Sequence, residues 1–396
     1  MIIKRIKLIT VLITIATSYS FAQTQRKPMN QLINEEFKFA LEQYKVLAKN
    51  IPAGKTPQSF ANGKPVNQDI KWWCSGFYSG SLWYLYEETK DASIKLEAEK
   101  ALKVIEPNQT YTGNHDLGFM MYCSFGNAYR LTSEPAYKAV IQRSAASLAT
   151  RYRPNIKSIQ SWNKNKYWDC PVIIDNMMNL EMMNWASENG GSPKYKEIAV
   201  THANTTLKNH FRPDLSSYHV IDYNPETGAI KRKATWQGAA DCSAWSRGQG
   251  WALYGYTMMY RFTKDETYLK QAKGIAHFIL NHPNLPADKI PFWDFDAPGI
   301  PYAKRDASAG ALIASALLEL GQYTSGSEKA EFKSVAETMI FSLASPSYHA
   351  KLGENGGFLL MHSTGAYPLN SEIDVPLVYA DYYYLEALLR YKKWYL

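Results

Sequence analysis

The chain has 396 residues, 46% of them hydrophobic and 20% charged, with a formal net charge of +8. That is enough apolar material for one large core or two smaller ones, and the positive excess is too dispersed for a nucleic-acid surface. Cys74, Cys123, Cys170 and Cys242 are widely spaced and the eight histidines show no paired ligand spacing, which excludes a disulfide scaffold and a patterned zinc site.

In chain order, Lys4, Arg5 and Lys7 precede a short apolar stretch, Leu8 to Ala16, and then Ser20-Phe21-Ala22. A basic head, a brief apolar run and small residues at its end read as a signal peptide over residues 1–22. The run is too short for a permanent membrane span. Without a cysteine at the cleavage point no lipid anchor is expected. Residues 23–396 are then expected as a single exported, periplasmic domain.

Twelve segments carry apolar residues at three- and four-residue spacing, which predicts helices. They are Ile33–Lys49, Gly76–Thr89, Ala92–Ile105, Leu117–Leu131, Ala136–Tyr152, Asn176–Glu188, Lys194–His210, Ser246–Phe262, Glu266–Asn281, Ala307–Tyr323, Glu328–Leu343 and Val375–Tyr391. The links "TKDASIKLEA", "TSEPAYKAV", "GGSPKYKEIA" and "TKDETYLKQA" are short polar turns with capping residues, and short links make antiparallel neighbours. The approaches to the alternate helices are longer. Plain turns at one end and elaborate loops at the other predict an all-α, (α/α)₆ barrel of six hairpins. One small β-hairpin is expected within residues 212–237, where "SYHVIDYN" and "IKRKATW" flank a turn. Residues 284–305 and 346–374 read as long loops.

The elaborate approaches collect aromatic and polar side chains: Trp72, Trp73, Trp162, Trp168, Trp236, Trp245 and Trp293, with Trp251 just inside the eighth helix. Core packing accounts for Trp83, Trp185 and Trp168. Indole faces beside Asp, His, Gln and Arg at one end of a barrel suit a sugar, which offers C–H faces and hydroxyls. Asp116 and Asp175 both stand where an inner helix begins. Each reads as an N-cap when taken alone. Two carboxylates sharing one apolar pocket would repel, so that one holds its proton to higher pH, as a general acid requires. Asp91, Asp265 and Glu266 read as caps of short turns, and Asp294 and Asp296 as loop-ordering residues.

The motifs "WWCSGFYSGSLWYLYE", "NHDLGF", "VIIDNMMNL", "SSYHVIDYNPETGAI", "WSRGQGWALYG", "FWDFDAPG", "RDASAGA" and "DYYYLEALLR" run in order over nearly the whole chain. Through them the chain resembles the unsaturated glucuronyl hydrolases of glycoside hydrolase family 88. The resemblance implies an (α/α)₆ barrel. It implies action on the unsaturated uronic acid that polysaccharide lyases leave at the non-reducing end of glycosaminoglycan-type oligosaccharides. It makes Asp175 the general acid/base, protonating C4 of the double bond and then deprotonating the water that attacks C5. Asp116 becomes the second carboxylate. Trp73, Trp162, Trp245 and Trp251 become stacking candidates, and His115, His202, Gln237 and Arg247 hydrogen-bonding ones. No metal or organic cofactor is implied, and neither a nucleic-acid partner nor a membrane anchor is expected.

Three rival readings share parts of this pattern. An unsaturated rhamnogalacturonyl hydrolase of family 105 would act on pectin fragments, although "SSYHVIDYNPETG" and "WSRGQGW" favour family 88. A toroidal polysaccharide lyase would create the unsaturated uronate instead of consuming it. A non-catalytic glycan-binding protein would need only the tryptophans.

Overall fold

The computed structural model describes residues 26–396. The leader expected over residues 1–22 lies outside the described residues. The helices, in chain order, are α1 (Met29–Lys49), α2 (Phe77–Thr89), α3 (Ala92–Ile105), α4 (Asn127–Thr132), α5 (Pro135–Ala149) and α6 (Asn176–Glu188). They continue with α7 (Lys194–Asn209), α8 (Ser246–Thr263), α9 (Glu266–Asn281), α10 (Ala307–Leu320), α11 (Gly326–Leu343) and α12 (Val378–Tyr395). A π-helical stretch, Gly118–Gly126, leads directly into α4. Neighbour contacts close a ring in the order α2, π-helix with α4, α6, α8, α10, α12 and back to α2. The remaining helices pack outside it, which makes the expected (α/α)₆ barrel.

The two layers differ as their sequences require. Every residue of α10 ("ASAGALIASALLEL") is buried, as befits a helix that is apolar all round. α1 instead buries one stripe, including Leu32, Ile33, Phe37, Ala40, Tyr44 and Leu47. Each large apolar side chain so removed from water contributes roughly 1.5–3 kcal/mol.

One turn design recurs three times at the end away from the long loops. The helix closes on a left-handed residue, Lys90, Ser133 or Lys264. An acid follows and caps the next helix: Asp91 accepts from the Ser93 and Ile94 N–H groups, Glu134 from that of Ala136, and Asp265 from that of Thr267. These acids are the caps that "TKDAS", "TSEPA" and "TKDET" predict. Glu266 follows Asp265 in the first turn of α9.

The Leu117–Leu131 segment departs from the expected regular helix. Asn179 of α6 reaches into its first turn and accepts the Phe119 N–H (3.2 Å) through Oδ1. Gly118 permits the approach, since a Cβ there would lie 2.5 Å from the Asn179 Cα. The nine residues Gly118–Gly126 take up π geometry, an insertion that side-chain intrusion commonly accompanies.

Strand content exceeds the single expected hairpin. β1 (Thr56–Ala61) pairs with β2 (Lys64–Gln68), and the two-residue β3 (Tyr152–Arg153) pairs with β4 (Ser158–Ile159). β5 (Pro171–Ile173) joins the expected hairpin of β6 (Val220–Tyr223) and β7 (Ile230–Ala234) in one sheet. β8 (Ser363–Ala366) and β9 (Ser371–Val375) structure the region read as a loop. Of the four thiols, Cys74 and Cys170 are buried, Cys123 is half-buried and Cys242 is exposed, all four unpaired.

Candidate active site

The strand β5 runs straight into α6, and Asp175 stands at the junction. Its backbone is helical (φ −55°, ψ −26°), and its side chain makes no capping hydrogen bond. The first turn of α6 is closed by backbone alone: Met177 N–H donates to Ile174 O (3.1 Å) and Met178 N–H to Asp175 O (3.0 Å). The carboxyl is therefore released from capping duty. Only 8% of Asp175 is accessible, and its Oδ2 is buried without a hydrogen-bond partner. Burial pushes this carboxyl from 3.8 up to about 7, against the pull of the Arg247 charge.

Asp116 precedes the π-helix and is likewise buried. Its backbone N–H is taken by Asn114 Oδ1 (3.0 Å), and its own carboxyl makes no capping bond to the π-helix. Burial first, and the Asp175 charge second, raise its carboxyl to about 8, with Arg151 opposing. The two acids thus titrate as an interacting pair around neutral pH. His115 Nε2 lies 3.3 Å from Asp116 Oδ1. Burial holds that imidazole neutral, down to about 3.

His219 completes the centre, and sequence reasoning missed it. The ladder between β5 and β6 continues one step beyond the strands, with Ile174 N–H donating to His219 O (3.0 Å). That step sets His219 beside Asp175. Its Nδ1 accepts the N–H groups of Trp236 (3.1 Å) and Gln237 (3.2 Å), which assigns the ring hydrogen to Nε2. Nε2 lies 3.6 Å from Asp175 Oδ2. Burial, then the Arg247 charge, keeps this ring well below its ordinary 6.5 and therefore neutral. The only signal in the sequence was parity: a histidine one residue before an alternating strand that pairs beside Asp175.

The other expected residues divide by what they touch. Trp162 is half-buried and meets His219 edge-on, with ring centres 6.2 Å apart. Trp245 is buried against His219, with ring centres 4.6 Å apart. Trp73 is half-buried against Phe77, Phe119 and Tyr379. Trp251 is fully buried between Phe119 and Tyr383, so its indole face is committed to packing. Gln237 donates through Nε2 to Gly365 O (3.0 Å).

Two residues act through the frame. Arg247 is 1% exposed. It donates to Asp306 Oδ2 (2.7 Å), Thr364 O (2.6 Å) and Gly365 O (2.5 Å), so its planar fork is occupied by the chain itself. Asp306 also caps α10 through the Ser308 N–H. His202 sits on the outer helix α7, where its Nδ1 accepts the Ile159 N–H (3.0 Å). Ile159 O in turn accepts from Asn176 Nδ2 (2.7 Å). His202 thereby fixes the neighbour of Asp175 from behind. Arg151, which the sequence did not single out, clamps the two loops carrying the site. It donates to Thr112 O (2.6 Å), Gln160 O (2.8 Å) and Ser161 O (3.1 Å).

Trp293 is covered by Tyr367, stacked at 4.5 Å, and so offers no face to a ligand. Asp294 accepts from Ala239 N–H and Ser243 Oγ, and Asp296 from Ala244 N–H. Both are the loop-ordering acids expected. A separate cavity of about 650 Å³ opens where the inner helices end, lined by residues including Glu181, Arg261, Glu319 and Arg390. It opens at the far end of the barrel from Asp175 and reaches inward to Phe119 and Met178, and the chemistry follows the acids rather than this space.

The family described as Glycosyl Hydrolase Family 88 matches residues 47–395. An unsaturated glucuronyl hydrolase of Formosa agariphila is 45% identical over 372 residues, 92% of each chain. A crystal structure of an unsaturated glucuronyl hydrolase specific for heparin has a TM-score of 0.89 at 45% identity, covering 92% of this chain and 98% of that one. A mutant unsaturated glucuronyl hydrolase of Streptococcus agalactiae, solved with dGlcA-GalNAc6S, has a TM-score of 0.79 at 29% identity, covering 92% of both chains.

Proposed function

The chain belongs to Glycosyl Hydrolase Family 88 and is a glycoside hydrolase, and from that premise we propose that it is an unsaturated glucuronyl hydrolase. Its substrates are glycosaminoglycan-type oligosaccharides that carry an unsaturated uronic acid at the non-reducing end. The observation that carries the reading is the Asp175 carboxyl, buried, uncapped and raised to about 7. Such a group holds a proton near neutral pH and can give it up there.

In this mechanism Asp175 donates its proton to C4 of the vinyl ether while positive charge develops at C5. The Asp175 carboxylate then takes a proton from the water that adds to C5, and so returns to its starting state. The hemiketal opens and the glycosidic bond breaks, releasing a keto-uronate and a shortened glycan. The net change is the addition of one water molecule. Neutral His219, with its Nε2–H toward Asp175, stabilises the carboxylate formed in the first step. Asp116 and His115 position the sugar, and Trp162 offers it a face. The N-termini of α6, α8, α10 and α12 lie at this end and favour the substrate's own carboxylate.

The test follows the ultraviolet absorbance of the conjugated enoate in lyase-generated disaccharides. Absorbance should decay with the wild-type protein and persist with Asp175→Asn of unchanged circular dichroism. Growth of absorbance from intact polymer would mark a lyase, and constancy on every unsaturated disaccharide would remove the activity altogether. Export belongs to the same proposal. Residues 1–22 are removed and 23–396 act as one periplasmic domain, so protein from an osmotic-shock fraction should begin at Gln23.

A further inference from the structure

The cavity at the far end of the barrel serves neither the proposed hydration nor the closure of the ring. It lies on the barrel axis, since α2, the π-helix with α4, α6, α8, α10 and α12 all contribute to its lining. Its volume of about 650 Å³ falls within the range of small-molecule sites.

Its charges are matched, five carboxylates to five cations. Arg130 pairs with Glu87 and Lys392 with Glu88. Arg261 pairs with Glu181 and Glu319, and Arg390 with Glu319 and Glu386. The pairs of α6, α8, α10 and α12 thus link into one belt. Tyr84 of α2 extends it by donating to Glu386 Oε1 (2.9 Å). A lining balanced in this way gives a charged ligand no compensation for its lost hydration.

Among the described residues no ion pair joins α4 to α6, and aromatic rings occupy that interval. Trp185 of α6 is half-buried and meets Tyr129 and Tyr122 with ring centres 5.3 and 6.0 Å away. Tyr383 of α12 lines the same space and is 1% exposed. The hydroxyls of Tyr84, Tyr254 and Tyr382 are all engaged, whereas among the described residues those of Tyr122 and Tyr383 make no hydrogen bond. A buried hydroxyl without a partner carries a desolvation cost that a ligand group can remove. Aromatic faces, paired planar groups and free hydroxyls together suit a neutral polyhydroxylated ring, whose C–H face stacks on an indole while its hydroxyls exchange hydrogen bonds.

We propose that this cavity is a second ligand site, for a neutral sugar of one or two rings. Trp185 is its stacking face and Tyr383 its inner hydrogen-bonding group. The site stands whatever reaction the acids at the other end perform. Trp185 lies about 15 Å along α6 from Asp175, at 1.5 Å per residue, so mutation can separate the two sites.

Titration calorimetry tests it, with N-acetylglucosamine and cellobiose as neutral probes, glucuronate as an anionic one and choline as a cationic one. Wild-type protein should bind a neutral sugar. Tyr383→Phe keeps the ring and its packing, and should weaken that binding roughly three- to tenfold. Trp185→Leu should weaken it too, while Trp162→Ala, at the Asp175 end, should leave it unchanged. Binding that Trp162→Ala removes and Tyr383→Phe spares belongs to the other site and overturns the proposal. Tyr383-dependent binding of choline or glucuronate that exceeds that of both sugars overturns the ligand class. No saturable heat with either sugar would leave the cavity a solvent-filled vestibule and overturn the site altogether.

Discussion

Replacing Asp175 by Asn should abolish turnover while stabilising the fold, and the stabilisation should grow with pH. Asn has the shape of the protonated acid without its titration. In the folded protein this carboxyl is raised from 3.8 to about 7, so between those values the native state holds a proton that the unfolded chain has released. The native state binds more protons there, and stability falls as pH rises through the window and stays low above it. At about 1.36 kcal/mol per unit, the full cost is roughly 4 kcal/mol. Between about pH 5 and about pH 8.5 some 2–3 kcal/mol of it develops. For a domain of this size that is a shift of about 3 °C in the Tm difference between variant and wild type. Removing Asp175 also removes the charge that helps raise Asp116, which acts in the same direction. His219 is already neutral across the window and contributes no opposing slope. Thermal melts at both pH values, with enoate kinetics falling by about 10²–10⁴, are the measurement. A Tm difference that is flat or shrinks with rising pH would mean that Asp175 is an ordinary ionised carboxylate, and the proton-donor argument would fail.

Three further outcomes follow from the geometry. His219→Phe should lower kcat and move the basic limb of the pH–rate profile upward, because the N–H that favours ionised Asp175 is lost; an unmoved limb would count against the Nε2–H assignment. Arg247→Met should cost about 3–5 kcal/mol in urea unfolding by stranding buried Asp306. Arg247→Met with Asp306→Asn should recover part of this, since the cap on Ser308 can persist, and no recovery would contradict the ion-pair account. Gly118→Ala should cost about 1–3 kcal/mol through overpacking on Asn179, and an unchanged unfolding midpoint would show that the two helices can part freely.

The barrel was legible because its signals are local and repeated. Helical periodicity marked all twelve helices, and the "TKD", "TSE" and "TKD" turns announced their capping acids. What remained hidden was non-local. The π-helix depends on Asn179, some sixty residues downstream, reaching the Phe119 N–H. The β8–β9 hairpin has little apolar alternation of its own and is held instead by Arg247 on the carbonyls of Thr364 and Gly365. The β1–β2 turn did carry a signal: Asn62-Gly63, both with positive φ, is a strong hairpin dipeptide.

Residue type alone could not separate the chemical acid from the capping ones. Asp91, Asp265 and Asp306 all stand at helix starts with extended ψ, near 118°, 114° and 91°. That backbone folds the carboxylate back onto the helix N–H groups. Asp175 stands at the same nominal position with ψ −26°, because β5 delivers the chain to α6 without an intervening loop. Ile174 O and Asp175 O have already begun the turn, so the side chain is left facing His219 across the pairing of β5 with β6. A strand that passes directly into a helix thus turns a potential cap into a buried acid. The readable sign was the unbroken apolar approach Pro171 to Ile174, where the capping acids instead follow polar turns. Inserting a Gly-Ser link between Ile174 and Asp175 should restore an extended cap and its stabilisation of roughly 1 kcal/mol. It should also return the carboxyl toward the ordinary range and extinguish enoate hydration. If that insertion kept the activity, the strand-to-helix junction would not be what frees this carboxyl for catalysis.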